Sequence, residues 1–525
     1  MLPTTHLFDN LLTPVVRVHF LSKHLTGILL LIAPIALRLV LLPNHPVPPP
    51  SGVDDFGYLL LGDTLAHFRL ANPPHTFNRF FETDYVLQEP TYSSQYPLGQ
   101  GLVLALGRLV SEPWAGVLLS EAVFCALAYW MFCGWVERRW AIVGAVIVIC
   151  QFGPLSPWMN SYFGGAVAAS AGCLVFGALP RLQAHPGSRA HAIALGGGLG
   201  LAFLARPFES TLLALSTAIF MFVMIPKERW AKLIRTTAMA GAPAVILFLL
   251  HNHAVTGNWL TLPYMLNRYQ YGVPATFTFQ ENPLPHRALT VEQRLIYQAQ
   301  VRVHGEGTDT PRRYLSRFVS RIPVYRFFFD PVLFIAVIAF IPALLQKKWQ
   351  WIVITIVIFM VGTTFYPHFY PHYIAPLTSL FVLITVIGLC RLHQWQPWIA
   401  RTVVLVYIGQ FLFLYGVHLY GDQQWMIRTA HPARYINWGD PQGRIAIKRQ
   451  LQETPGNHLV FIQPALPQYR FISWMQNEAD IDRARIVWAR DLGASENEQL
   501  RQYYPNRSVW LLKTETMPPK LEQLH

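Results

Sequence analysis

Two adjacent carboxylates open a polar stretch near the start of the chain. Asp54 and Asp55 stand in SGVDDFGYLLLGDTLAHF, just after Gly52. A carboxylate can take a proton from an attacking hydroxyl, and a neighbouring acid raises its pKa, which keeps it useful as a base. An acid pair can also hold a divalent metal ion. The plain alternative is a solvated turn in which one of the two acids caps the following helix.

Two further elements carry groups suited to the same chemistry. Tyr96 to Gly99, which reads Tyr-Pro-Leu-Gly, closes the polar stretch where an apolar segment begins. Farther along, GLAFLARPFESTLLAL breaks an apolar run at Arg206 and Pro207. The planar guanidinium of an arginine suits phosphate and can stabilise a leaving group. An arginine near a helix end can instead simply extend to lipid headgroups.

Weaker candidates lie in two other polar turns. Glu89 stands in QEPTYSSQYP, close to Tyr96, and either positions acceptor hydroxyls or is an ordinary loop carboxylate. Asn160 stands in GPLSPWMNSYFGG, a turn rich in residues that break helices. Its amide can bind a sugar, although the break between two helices would account for this turn without any ligand.

The segment YPHFYPHY carries a cluster of aromatic and histidine side chains. Tyr366, His368 and His372 are candidates for contacts with phosphate or sugar, and an interfacial aromatic belt is the alternative for the tyrosines. The two histidines are four residues apart, but Pro371 interrupts any helix between them. A metal pair is therefore not expected here.

The composition places these residues on a membrane protein. Of the 525 residues, 53% are hydrophobic and 13% are charged, which is typical of a polytopic membrane protein. The formal net charge of +13 comes from short Lys and Arg clusters between apolar runs, as the positive-inside rule places them. Nucleic-acid binding is therefore not expected. The five cysteines fall within apolar runs without ligand spacing and are expected to be packing residues.

The apolar runs predict about eleven membrane crossings, with the basic clusters on one side. Leu25 to Pro43 is interpreted as a retained first helix, because it lacks a small-residue cleavage site. Basic residues before it place the N-terminus in the cytoplasm, so the loops at 44–97 and 254–326 are expected outside. Leu98 to Val110 is too short to cross with ease and is predicted to be an interfacial helix. We expect a multi-pass protein of the inner (plasma) membrane.

The last part of the chain has a different pattern. In residues 421–525 the apolar runs shorten, and HLVFIQ, ARIVWAR and RSVWLL are typical of short buried strands. This pattern predicts a small soluble α/β domain on the outer face, without a phosphate loop or metal-ligand spacing of its own. The predicted fold class is therefore mainly α, with a membrane helix bundle and outer interfacial helices in residues 1–420 and the small domain after it.

The order of the three main elements resembles the polyprenyl-phosphate-sugar-dependent membrane glycosyltransferases. That superfamily includes the protein O-mannosyltransferases and the lipid A aminoarabinose transferase. Its members have an Asp-Glu pair with a catalytic Asp after the first helix, and a Lys-Pro-Pro-Leu or related element that starts the interfacial helix. Asp54 matches the Asp, Asp55 stands where Glu is usual, and Tyr96 replaces the Lys. Arg206 matches the basic position at the end of a Gly-rich helix.

The resemblance implies a C-type membrane fold and an activity. A sugar would move from a polyprenyl-phosphate carrier to a glycan, lipid or protein acceptor on the extracytoplasmic face, in a site bounded by membrane lipids. Asp54 would activate the acceptor as a general base, and Asp55 would assist through a hydrogen bond or a metal. Arg206, with groups from 366–373, would hold the carrier phosphate. A divalent metal ion stays open as a cofactor, because family members differ in their need for one.

Two other classes of protein are alternatives. A lipid or sugar transporter or flippase also needs many helices, but it normally holds its polar groups near the middle of the membrane. A non-catalytic envelope assembly protein would use its C-terminal domain as the working part. The acids of this chain cluster in a predicted outer loop, and this placement favours the transferase.

Overall fold

Helices dominate the computed structural model, which describes residues 23–50, 52–272, 277–305, 307, 309–420, 443–463, 474–516 and 518–524. In the first half of the chain the helices are α1 (Lys23–Val40), α2 (Val53–Ala66), α3 (Leu98–Val110), α4 (Pro113–Phe132), α5 (Arg138–Phe152), α6 (Ala166–Ala184), α7 (Arg189–Ala205), α8 (Pro207–Met224) and α9 (Trp230–Thr256). They are followed by α10 (Pro263–Tyr271), α11 (Val291–His304), α12 (Pro311–Arg321), α13 (Phe334–Phe340), α14 (Lys347–Thr363), α15 (Thr378–Trp395), α16 (Pro397–Tyr420), α17 (Arg444–Glu453) and α18 (Ala494–Tyr503).

Several of these helices can cross a membrane. Within the described residues, six helices are long and apolar enough, and a seventh span results if the bent pair 311–327 and 331–345 counts as one. The mainly helical membrane fold is thereby confirmed, whereas the count of eleven crossings and their sidedness remain predictions. Some of the predicted crossings, such as 140–152, fall on helices shorter than the roughly 20 residues that a bilayer requires. The six helices that are long and apolar enough to cross are Pro113–Phe132, Ala166–Ala184, Pro207–Met224, Lys227–Thr256, Pro371–Trp395 and Pro397–Tyr420.

The helices differ in how deeply the protein buries them. Every residue of α15 from Thr378 to Leu389 is buried, and α15 packs against α13, α5 and α16. By contrast, only 11% of the apolar window that contains α9 and 22% of that in α16 are buried. A helix that is apolar on all sides has no polar face to turn to water. The bundle is therefore centred on α15, with α9 and α16 on its apolar surface.

A four-stranded sheet forms the C-terminal part. After the short antiparallel pair β1 (Val86–Leu87) and β2 (Ser93–Ser94), the chain forms β3 (Asn457–Gln463), β4 (Ile486–Arg490), β5 (Arg507–Lys513) and β6 (Lys520–Leu524). The strand order is β4-β3-β5-β6, with β3 parallel to both neighbours and β6 antiparallel to β5. The three strands predicted from the sequence are thus confirmed, while the predicted boundary at residue 421 lies outside the described residues.

One face of this sheet packs against the loop that carries the acidic pair. Phe81, in the loop at 44–97, shares a hydrophobic core with Phe461 on β3. Nearby, the backbone N–H of Ala479 donates to Asp63 Oδ2 at 2.7 Å. The C-terminal sheet therefore belongs to the same packed unit as the loop.

Candidate functional site

A cavity of about 430 Å³ lies where α2, α3, the α7–α8 break and the 366–373 segment meet. Its lining mixes carboxylate, guanidinium, imidazole and phenol groups with apolar side chains from α9 and α10. Six of the residues predicted from the sequence therefore come together here, from four separate parts of the chain. They are Asp54, Tyr96, Arg206, Tyr366, His368 and His372.

Asp54 lies in the first turn of α2. The N-cap of this helix is Gly52, so neither acid caps it through its side chain. A carboxylate in a first turn is stabilised by the positive end of the helix dipole. Burial raises the pKa of Asp54, while a hydrogen bond from Tyr96 and the charge of Arg206 oppose that rise. The result is a carboxylate that is more basic than one in water, which suits it to accept a proton.

Tyr96 orients this carboxylate. Its hydroxyl donates to Asp54 Oδ1, and its ring stacks on Tyr58 with the ring centroids 4.3 Å apart. Gly57 makes room for the stack, since a Cβ at that position would lie 2.5 Å from the ring of Tyr96. Burial raises the pKa of Tyr96 well above its usual value, so the phenol keeps its proton and remains a donor. Tyr96 therefore contacts the acid directly.

Arg206 forms the cationic part of the cavity. It lies between α7 and α8, where the sequence predicted a break. Its Nη1 is 3.1 Å from Glu209 Oε1, and its guanidinium lies 4.4 Å from the centroid of the Tyr373 ring. Among the described residues, the side chain of Arg206 makes one hydrogen bond, in which Nη1 donates to Glu209. Its other guanidinium donors are therefore available to an anion in the cavity.

A close helix contact brings the cation and the acid into one cavity. Gly99, in the first turn of α3, faces the end of α7, and a Cβ there would lie 2.8 Å from Ala205 Cα. Ala205 immediately precedes Arg206, and Gly99 follows Tyr96 by three residues. The glycine therefore allows the Tyr96 element to approach the break.

The 366–373 segment forms the opposite wall. Tyr366 donates to Glu209 Oε2 at 3.2 Å, and His368 Nε2 lies 2.8 Å from Gln300 Oε1. Arg321 donates to the backbone carbonyl of Tyr366 and so fixes the start of the segment. Tyr370, His372 and Tyr373 also line the cavity. The tyrosines of this segment thus line the cavity, and an interfacial aromatic belt is not their only role.

Asp55 points away from this cavity. Its Oδ1 accepts the backbone N–H groups of Tyr162 at 2.8 Å and Phe163 at 3.2 Å. Within the described part of the chain, no three His, Cys, Asp or Glu side chains gather in a way that could hold a metal ion. The described residues around the cavity therefore do not fit a divalent metal ion, and Asp55 anchors the 153–165 turn beside the site.

Glu89 and Asn160 also lie outside the lining. Glu89 Oε2 is 2.8 Å from Arg287 Nη1, and this pairing lowers the pKa of Glu89. Asn160 is buried, and its Oδ1 accepts from Arg38 Nε at 2.7 Å. Both side chains thus connect distant parts of the protein instead of facing the cavity.

Several cavity residues were not predicted from the sequence. Glu209 had a usable signal, because it stands three residues after Arg206 on a helix, where an ion pair forms readily. Tyr85 and Gln300 had none, since each is an ordinary residue of a polar segment. His251 is also buried and lines the cavity.

No protein-family model matches this chain, and no curated protein does. The chain is similar in structure to ArnT from Cupriavidus metallidurans in the apo state, with 12% identity, 94% of this chain and 93% of ArnT covered, and a TM-score of 0.50. For the same protein bound to undecaprenyl phosphate, the identity is 13%, 93% of this chain and 92% of ArnT are covered, and the TM-score is 0.49. A third similar structure is archaeal oligosaccharyltransferase AglB from Archaeoglobus fulgidus in complex with an inhibitory peptide and a dolichol-phosphate. Here the identity is 10%, 93% of this chain and 69% of AglB are covered, and the TM-score is 0.48.

At these identities the likeness concerns the fold alone, and the apo ArnT structure is the one that supports it. The C-type membrane fold implied by the sequence resemblance is thereby confirmed.

Proposed function

We propose that this chain is a membrane glycosyltransferase, which moves a sugar from a polyprenyl-phosphate carrier to an acceptor on the extracytoplasmic face. The observation that carries the proposal is that Asp54 and Arg206 line one cavity in an ArnT-like fold. A base and a fixed cation in one cavity are what transfer from a phosphate carrier requires.

The reaction divides between the two charged groups. Asp54 takes the proton of an acceptor hydroxyl as that oxygen attacks the anomeric carbon of the sugar. The bond from the anomeric carbon to the carrier phosphate breaks, and its electrons leave with the phosphate. The charge of Arg206 stabilises the phosphate as it leaves. A single displacement inverts the anomeric carbon.

The other walls of the cavity suit the remaining parts of such a donor. Phe248 of α9 lines the cavity together with Leu262 and Met265, and few of the residues of α9 are buried in the protein. An isoprenoid chain can follow this apolar wall into lipid, because burial of each CH₂ group contributes about 0.8 kcal/mol. The aromatic rings of the 366–373 segment offer faces on which a sugar can stack.

The test is a transfer assay with the purified full-length chain in lipid nanodiscs and a panel of polyprenyl-phosphate sugars. Asp54→Asn keeps the shape of the side chain but removes the base, so the rate should fall by about 10²- to 10⁴-fold. Glu112→Gln, which changes an exposed carboxylate before α4, is the matched control and should keep the wild-type rate. An Asp54→Asn variant that transfers sugar at the wild-type rate would refute the assignment.

The role of the second acid can be tested in the same assay. In Asp55→Asn the amide oxygen can still accept the two backbone N–H groups that Asp55 now binds. Activity near the wild-type rate would indicate that Asp55 acts only as an anchor. A loss as large as that of Asp54→Asn, with carrier binding retained, would support the predicted chemical role.

A further inference from the structure

Tyr85 differs from the other residues of the cavity wall in its backbone conformation. Its φ is +61°, in the left-handed region, which a bulky side chain adopts only where the surrounding structure imposes it. Such residues cluster at ligand sites. Tyr85 lines the main cavity and also a smaller cavity of about 20 Å³, which Asp84 lines as well. Tyr85 therefore forms part of the wall between the two cavities.

A chain of hydrogen bonds fixes the direction of the Tyr85 hydroxyl. Gln300, on α11, donates from Nε2 to Tyr85 Oη at 2.9 Å. Its Oε1 lies 2.8 Å from His368 Nε2, which donates to it as the N–H of a neutral imidazole. Burial, together with the charge of Arg321, lowers the pKa of His368, which favours that neutral form. Both ends of the Gln300 amide are thus in use, and Tyr85 Oη acts as an acceptor towards it.

The hydroxyl hydrogen of Tyr85 is therefore not used in the bond with Gln300 and can be donated to another acceptor. Among the hydrogen bonds of the described residues, Tyr85 Oη makes only the one with Gln300. Burial raises the pKa of Tyr85 well above its usual value, and the nearby charges of Asp54 and Asp84 add to the rise. The phenol is therefore an O–H donor at the wall of the cavity.

The surroundings indicate what this donor binds. Tyr85 packs edge-to-face against Tyr96, with the centroids 6.3 Å apart, and Tyr96 in turn contacts Asp54. Asp54 and Asp84 are the charged groups that act on Tyr85, and their negative charge disfavours an anion at its hydroxyl. A neutral oxygen is the complementary partner of an O–H donor next to a carboxylate.

On the basis of the proposed function, we infer that Tyr85 is a specificity-determining residue, which donates a hydrogen bond to a hydroxyl oxygen of the sugar bound beside Asp54. Gln300 is the positioning residue that keeps this O–H directed into the cavity. The hydroxyl can belong to the transferred sugar or to a glycan acceptor. Separate KM values for the two substrates distinguish these sources.

The test compares Tyr85→Phe with Gln300→Glu. Tyr85→Phe removes only the hydroxyl, so one of the two KM values should rise by about 2- to 10-fold, with kcat little changed, as expected for the loss of one neutral hydrogen bond. Gln300→Glu replaces the amide by an acceptor, which draws the Tyr85 proton away from the cavity. It should therefore raise the same KM. In the double variant the effects should not add, because both changes remove one interaction.

The controls separate this inference from a loss of folding and from the proposed function. Tyr92→Phe removes a buried hydroxyl outside the cavity, and both KM values should be unchanged. If Gln300→Glu does not fold, Gln300→Met removes the donor without adding a charge and should raise the same KM.

Wild-type transfer with unchanged KM values in Tyr85→Phe would overturn the inference alone. A fall in kcat at constant KM values would also overturn it, because Tyr85 would then act in the chemical step. A wild-type chain that transfers no sugar from the panel would overturn the proposed function.

Discussion

Removal of one hydroxyl from Tyr96 should change the pH dependence of sugar transfer. In Tyr96→Phe the ring can keep its stack on Tyr58, while Asp54 loses the hydrogen bond that it accepts from Tyr96. That hydrogen bond lowers the pKa of Asp54 and opposes the effect of burial. Without it, the pKa of Asp54 rises further. A general base works only when deprotonated, so the variant should lose activity at low pH and recover it as the pH increases.

The size of the effect follows from the single hydrogen bond that is lost. A hydrogen bond to a charged group contributes about 1.5–3 kcal/mol, and roughly 1.4 kcal/mol is a factor of ten in proton affinity. Below the pKa of Asp54, kcat/KM should therefore fall by about ten- to a hundred-fold relative to the wild type. Above the new pKa the two proteins should approach each other, because both then hold the carboxylate ionised.

The measurement is the profile of kcat/KM between about pH 5 and pH 9 with a saturating acceptor. Tyr92→Phe is the matched control, because it removes a buried phenol that donates to the carbonyl of Asn477 at 3.2 Å, outside the cavity. Its acidic limb should coincide with that of the wild type. A Tyr96→Phe profile that also coincides with the wild type, or that moves to lower pH, would refute the role of Tyr96 in tuning Asp54.

Other changes test other parts of the site. Gly99→Ala places a Cβ 2.8 Å from Ala205 Cα and should lower the initial rate by about tenfold or more, whereas Gly197→Ala, with no atom within 4 Å of the added Cβ, should leave it unchanged. Arg206→Lys keeps the charge but loses the planar fork, so the donor KM should rise by about tenfold in steady-state assays. Burial raises the pKa of Asp84 from 3.8 to about 7, so the folded state binds the extra proton and stability falls as the pH rises between these values. Thermal unfolding of Asp84→Asn should show a smaller fall over that range, and curves parallel to the wild type would contradict it.

The sequence indicated the charged residues of the site better than it indicated their neighbours. Asp54 and Arg206 each stand at the edge of an apolar run, where a polar residue is conspicuous, and both line the cavity. Glu89 and Asn160 were equally visible but pair with Arg287 and Arg38, which are 198 and 122 residues away. Residue type and local spacing do not reveal such pairings, because they depend on the tertiary fold.

The remaining cavity residues depend on features that a single sequence hides. Tyr85 reaches its position through a left-handed backbone, and Gln300 reaches it on a helix from a distant segment. In the C-terminal part, runs of apolar residues correctly predicted β3, β4 and β5. They did not reveal that one face of this sheet covers the loop around Phe81, since a buried strand has the same pattern whatever packs on it.

The hydrophobic core that Phe81 shares with Phe461 has a consequence for how the protein matures. A ribosome releases the N-terminal loop hundreds of residues before it makes the strand that covers it. The aromatic side chains of the loop therefore lack their packing partners on the sheet until synthesis is almost finished. A polypeptide whose translation stops before β3 would contain every residue that lines the cavity, but the loop that leads to Tyr96 would lack the sheet that packs against it.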